Sequence, residues 1–311
     1  MPTMGWHDGP TMSGIAKVSA GSPPLSLELE RADLLPGRLV DGVLRVGGLG
    51  TLSFREARVA LVGIETWRYD QTSTDAQGHT HTETRTAHED LPHVPVALLG
   101  PTSIAAGEVR EIPFQLPVPE LGPPTFDGQE LRVDWELRAN LDVPGFDPKV
   151  SLPVFILQPT ALLRAGVIDI GQFALWSDAT VEADGIRGSI TLDPAPLRVG
   201  APFRGRLSLE AAPARNVQEV RLELRVHAKA TGSGGREESI TLWTGRLAGE
   251  GTFGGGAQSL EFSGALPERW LPTIQTRHGR ADGQFHVVIA TAWARDPHLV
   301  RDVAIASTSD L

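Results

Sequence analysis

Residues 111–157 read EIPFQLPVPELGPPTFDGQELRVDWELRANLDVPGFDPKVSLPVFIL, and the middle of this stretch alternates without a break. Leu131, Val133, Trp135, Leu137, Ala139 and Leu141 fall on one face, while Arg132, Asp134, Glu136, Arg138, Asn140 and Asp142 fall on the other. A period of two sustained over this length is the mark of a strand with one buried and one wet face, because a helix would scatter both sets around its circumference. Just upstream, Pro113, Pro117, Pro119, Pro123 and Pro124 bar a helix and predict an extended edge segment leading into the strand.

The order of motifs carries a family likeness. IPFQLP, a proline-rich break, a small turn, a long strand ending ANLDVPG and a final LPVFI together resemble the N-terminal half of the arrestin fold. That superfamily includes arrestins, retromer's arrestin-like subunit and the bacterial sporulation-control proteins. Upstream, LERADLLPGRLVDGVLRVGG resembles the first two strands of the bacterial members, so the likeness spans residues 25–157. It implies a fold more strongly than a task. For the bacterial relatives it implies a cytoplasmic regulatory or scaffolding role whose partners the fold does not name. In arrestins, receptor phosphates are sensed by a basic pair on the first strand and a buried charged core between domains. Here the first strand, LSLELER, presents acids, and no charged core is legible, so phospho-receptor binding does not carry over.

Composition agrees with a chain built from short strands and turns. Its 311 residues are long enough for two domains, and 34 glycines with 24 prolines supply many reversals. A net charge of −10 argues against nucleic-acid binding, which needs clustered Lys and Arg to neutralise phosphates. With no cysteine there can be no disulfide, thiolate metal site or cysteine nucleophile. The start, MPTMGWHDGPTMSGIAKVSAG, lacks the basic and apolar regions of a secretory signal, and no run reaches the length of a membrane-spanning helix. A cytoplasmic protein is expected. Only Lys17, Lys149 and Lys229 are lysines; the arginine bias and abundant Ala and Gly point to GC-rich coding and a bacterium.

Along the chain, residues 1–24 read as a flexible N-terminal arm, with alternation beginning at Leu25. Val40, Gly42, Leu44 and Val46 continue one strand, and Ala57, Val59, Leu61 and Gly63 form the next, with residues 65–70 extending it. The plan then repeats. At an offset of 163, Leu197-Arg198-Val199-Gly200 lies over Leu34-Leu35-Pro36-Gly37, Phe203 over Val40, Gly205 over Gly42, and Leu222 and Leu224 over Val59 and Leu61. Later the offset settles near 150: Leu266-Pro267 is matched to Leu116-Pro117, Phe285-Val287-Ile289 to Val133-Trp135-Leu137, and residues 303–305 to 154–156. The expected architecture is therefore all-β: two tandem immunoglobulin-like antiparallel sandwiches in an arrestin-like arrangement, residues 25–158 and 166–311. Between them Pro159 and ALLRAG make a linker, with room for a turn of helix.

The change of offset places an insertion of thirteen residues in the first domain, around YDQTSTDAQGHTHTETRTAHEDLPH. In extended form His79, His81, Glu83 and Arg85 share a face, with His88 and His93 further on. Neighbouring imidazoles could ligate Zn²⁺, with Glu83 or Asp90 beside them, yet no HExxH-type spacing is present. A polar surface hairpin serving recognition is the preferred reading, and its several histidines would allow some pH sensitivity. Asp134, Glu136 and Asp142 form a row of carboxylates of the kind glycoside hydrolysis uses. Arg132 and Arg138 interleave with them, which predicts cross-strand pairing and lowered carboxylate pKa values, the wrong shift for a general acid. TGSGG and GEGTFGGG lack the Lys-Ser or Lys-Thr of a phosphate loop and read as hairpin turns; no GxSxG elbow occurs. Trp135, Trp176, Trp243, Trp270 and Trp293 read as core, whereas Trp67 and Tyr69 open the polar excursion as a candidate contact site.

These readings select no catalytic, cofactor or metal residue. They favour a non-enzymatic arrestin-like adaptor that binds unidentified proteins through loops and sheet edges. The alternative is a β-sandwich binding metal or a small ligand, a hydrolase being one form of it, centred on the His-rich hairpin 70–93.

Overall fold

A computed structural model describes residues 17–91, 93–164, 181–183, 185–254, 256–291 and 296–308. In the first half the strands are β1 (Val18–Ser22), β2 (Leu25–Leu29), β3 (Asp33–Leu34), β4 (Leu39–Gly47), β5 (Leu52–Phe54), β6 (Glu56–Thr74), β7 (Thr80–Asp90), β8 (Val94–Leu99), β9 (Thr102–Ile104), β10 (Val109–Pro117), β11 (Phe126–Asp127), β12 (Leu131–Asp142) and β13 (Lys149–Ile156). The five-residue helix α1 (Thr160–Arg164) follows. The second half contains β14 (Val181–Ala183), β15 (Ile186–Asp193), β16 (Leu197–Arg198), β17 (Pro202–Ala211), β18 (Arg215–Ala230), β19 (Glu237–Ala248), β20 (Gly251–Phe253), β21 (Gln258–Ala265), β22 (Ile274–Gln275), β23 (Gly279–Thr291), β24 (His298–Val303) and β25 (Ile305–Ala306).

The stretch that alternates in sequence is β12, the centre of the larger first sheet, ordered β3-β13-β12-β6-β7. Leu131, Val133, Leu137, Ala139 and Leu141 are at most 1% exposed and Trp135 is 4% exposed. Each large apolar side chain so buried contributes about 1.5–3 kcal/mol. Trp135 keeps its indole N–H satisfied by donating to the Pro123 carbonyl at 3.1 Å. Facing this layer is the sheet β1-β2-β4-β10, whose edge is the proline-bearing β10. There Pro113 and Pro117 interrupt no outer ladder, since an edge strand needs donors on one side only. Strand structure is present before Leu25: β1 pairs antiparallel with β2 inside the span expected to be an arm, of which residues 1–16 lie outside the described residues.

The second half repeats this plan with sheets β14-β15-β17-β21 and β19-β18-β23-β22. Hydrogen-bond register fixes how the halves superpose. Leu34 pairs in parallel with Ile156, as Leu197 does with Ile305. The Ile156 amide donates to the Thr125 hydroxyl, and the Ile305 amide to that of Thr273, each at 2.9 Å. Gly42 faces Phe114 and Gly205 faces Phe262. The offset is thus 163 early, as read, but 148–149 later. Phe285, Val287 and Ile289 correspond to Leu137, Ala139 and Leu141 rather than to Val133, Trp135 and Leu137, and Leu266 to Val118 rather than to Leu116. Period-two alternation survives any even shift, so the sequence match slipped without breaking the pattern.

The repeated glycine has a steric cause. A Cβ at Gly42 would lie 2.3 Å from the Phe114 Cζ, and one at Gly205 would lie 2.4 Å from that of Phe262. In both sandwiches an aromatic ring lies across a backbone that has no side chain. Gly42→Ala is expected to cost about 1–3 kcal/mol through overpacking, read as a lower midpoint in chemical denaturation. Full stability in that variant would mean that the ring moves aside freely.

Candidate functional site: the long hairpin and the junction it enters

The inserted residues lie in one place. Trp67 pairs with Ala87 across the β6–β7 hairpin. At the equivalent point the Ala230 amide donates to the Arg236 carbonyl. Twenty steps of chain therefore replace six, and fourteen extra residues lengthen the first hairpin where thirteen were read for the whole insertion. Residues 71–86 are exposed on both faces. Thr72–Thr82 and Thr74–Thr80 hydroxyl pairs and the backbone ladder hold the two arms together.

At the turn, Asp75 is the organiser. Its carboxylate accepts the Gln77 and His79 amides at 2.9 and 2.8 Å and lies 3.1 Å from the His79 ring Nδ1. The His79 amide bond, above all, holds the Asp75 carboxyl below its ordinary range, against a smaller desolvation penalty. Glu83, considered above as a ligand beside the imidazoles, is instead bonded to Arg85 at 3.1 Å. His81 shares the turn only loosely, 4.0 Å from Asp75, and His88 and His93 stand elsewhere on the surface. Among the described residues no three metal-ligating side chains gather.

The base of the hairpin is built into a junction with the second sandwich. The Asp70 amide donates to the Gly234 carbonyl at 2.7 Å, and the Arg236 amide to the Arg68 carbonyl at 3.2 Å. Arg236 reaches Asp70 at 3.1 Å and Glu130 at 3.0 Å, and Glu130 also takes Arg68 at 3.3 Å. Glu238 returns the contact by accepting the Gln129 and Glu130 amides at 2.7 and 3.0 Å. Thr84 and then Arg236 hold the Asp70 carboxyl below its usual range. On the other flank, Glu65 accepts the His278 amide at 3.0 Å and the Thr276 hydroxyl. Glu89 binds the His278 ring and takes Arg277 at 2.7 Å. Those two bonds, His278 first, press the Glu89 carboxyl downward despite some desolvation. Trp67 stacks on the His278 ring at 3.7 Å between centroids, and Phe155 on Trp270 at 4.6 Å.

This junction has approximate two-fold character. Each sandwich offers the same pair of turns, the β6–β7 or β18–β19 hairpin and the β11–β12 or β22–β23 turn, and each receives the other's. Such an arrangement is the intramolecular counterpart of an isologous dimer contact. Trp67 and Tyr69 do form a contact site, but an internal one, with Tyr69 bridging to Gly235. TGSGG is the hairpin turn expected and docks there, whereas GEGTFGGG contains the short strand β20.

Other expectations divide. Trp135 and Trp270 are buried and Trp243 partly so, while Trp176 and Trp293 lie outside the described residues. In the carboxylate row two members pair along their own strand, Arg132 with Asp134 at 2.7 Å and Arg138 with Glu136, whereas Asp142 takes Arg55, just before β6, at 3.6 Å. Asp134 is raised, contrary to the lowered value expected, because desolvation outweighs the Arg132 bond. Glu65, Glu130, Arg236 and His278 were not singled out from sequence. Only Glu65 gave a sign: it occupies the inward parity after Val59, Leu61 and Gly63, and it is 1% exposed.

Two tandem antiparallel sandwiches, each repeating the other's strand plan and docked through equivalent turns, make an all-β architecture that resembles the arrestin fold. Residues 13–161 match the family model described as SpoOM protein, a span just under half the chain that takes in the first sandwich and ends within α1. The likeness read from IPFQLP to LPVFI is thereby shown over that sandwich. No curated protein matches the chain. Among the described residues no helix is long and apolar enough to cross a membrane.

Proposed function

We propose that the protein is a non-enzymatic regulatory adaptor, in keeping with the sporulation-control role that the SpoOM match implies. Its two units, residues 25–158 and 166–311, act as a rigid mount in the cytoplasm, and protein partners bind through loops and sheet edges. The observation that carries this reading is β7. It is an eleven-residue strand paired on one side only, its tip exposed and its base clamped to the second sandwich. An extended partner segment can add to such an edge through main-chain hydrogen bonds, and the Thr-rich side chains leave the approach unobstructed.

The test is to replace residues 72–82 by Asn-Gly, which closes a two-residue turn while leaving Asp70 and Thr84 in place. Partners captured by cross-linking from the native host are expected to be lost with the shortened hairpin, and in the recovered complex β7 amides gain exchange protection. Partners retained at equal yield by the shortened form would overturn the assignment of the edge.

A further inference from the structure

A cavity of about 490 Å³ opens on the outer face of the first sandwich's larger sheet. Arg58, Asn140 and Lys149 form one row across β6, β12 and β13, with Arg138 two residues further along β12. Strand spacing places Arg58 and Lys149 about 10 Å apart and Arg138 about 7 Å off their row, so three cations bracket the opening. In a chain of net charge −10 this is a local reversal of sign. Arg58 spends its Nε on the neutral Asn140 Oδ1 at 2.7 Å. Lys17 and Lys229 sit beside Glu28 and Glu237, but Lys149 has no acidic partner among the described residues. Arg138 is shared with Glu136, and Asp90 is the one carboxylate in the lining.

The repeat within the molecule supplies an internal comparison. The positions of Arg58, Ala60 and Val62 are taken in the second sandwich by Arg221, Glu223 and Arg225. There Glu223 accepts from Arg221 at 2.6 Å and from Arg225 at 2.9 Å. Burial raises that carboxyl, yet the two arginines together outweigh burial and hold it below its ordinary range. That face is filled and self-neutralised. In the first sandwich Ala60 and Val62 leave the same place open, apolar at its floor and cationic at its rim. A ligand pocket is built in this way, from an apolar cavity with a few placed polar groups.

We propose that this cavity binds a small organic anion, its carboxylate or phosphate ester held by Arg58, Arg138 and Lys149 and its apolar body resting on Ala60 and Val62. The full chain is titrated by calorimetry and ¹⁵N chemical shifts with phenyl phosphate, with benzoate and with uncharged benzyl alcohol. Binding of an anion with shifts confined to the cavity lining on β6, the end of β7, β8, β12 and β13 is expected, and the tighter anion identifies the head group. Lys149→Ala is expected to weaken that anion about tenfold, the size of one charge-assisted hydrogen bond. Ala60→Glu, which recreates the second sandwich's arrangement, abolishes binding without lowering thermal stability. Silence from both anions, equal binding of benzyl alcohol, or unchanged affinity in both variants would each overturn the proposal.

Discussion

Phe285→Ala is expected to lower the free energy of unfolding by about 3–5 kcal/mol. Phe285 is fully buried on β23 and packs against Phe262 at 5.8 Å and Phe203 at 6.3 Å, with Trp243 completing the cluster 5.3 Å from Phe203. Truncation removes the transfer energy of the ring and leaves a cavity whose walls are themselves rigid rings, so collapse to fill it is limited. In the first sandwich the equivalent residue is Leu137, and Val40 stands where Phe203 does, so that core is mainly aliphatic. The damage should therefore stay in the second unit. Denaturation followed by tryptophan emission and by far-ultraviolet circular dichroism is expected to split into two transitions, the earlier one removing about half of the strand signal. A loss below about 1 kcal/mol would mean that the cluster repacks, and that shape complementarity among these rings is not what holds the sheets together.

The fold was legible where physics is local. Alternation from Leu131 to Asp142 names a half-buried strand, and the recurrence of Leu-x-x-Gly before a Gly-containing strand exposes the duplication. Registers later in the chain were less secure, since residues two apart on one face are interchangeable to a pattern and only cross-strand partners, such as Gly42 with Phe114, pin them. The hairpin was found because an insertion changes spacing, a one-dimensional quantity. The junction was not, because Glu130, Arg236 and His278 sit in turns, where no periodicity distinguishes a charge facing water from one facing another domain. Asp134 marks the same boundary. Its arginine neighbour is visible in sequence, but the burial whose desolvation overrides that neighbour is a property of the folded sheet and leaves no mark in the pattern.

Glu130→Ala is expected to loosen the junction while leaving both sandwiches folded. Glu130 is 7% exposed and bridges Arg68 of the first unit to Arg236 of the second. Removing it leaves Arg68 without this carboxylate and Arg236 with Asp70 alone, a larger loss than that of a neutral contact. The readout is amide exchange at Asp70 and Arg236, whose N–H groups are bonded across the junction to Gly234 and Arg68. Both should exchange about tenfold faster, a change of roughly 1.4 kcal/mol in local opening, with β12 and β23 amides unaffected. Acid should act in the same direction through Glu89. Its carboxyl titrates below the ordinary 4.5 in the folded protein, because the His278 ring and Arg277 favour the charged form. The native state thus binds fewer protons than the unfolded chain in this range. The Glu89 contribution is complete above about pH 4.5 and is lost as pH falls through the depressed folded value. Wild-type exchange at the junction, corrected for the intrinsic rate, is therefore expected to accelerate below that pH, and Glu89→Gln to flatten the dependence. Unchanged protection at Asp70 and Arg236 in Glu130→Ala would show that the backbone bonds and the Trp67–His278 stack hold the two sandwiches together without the charges.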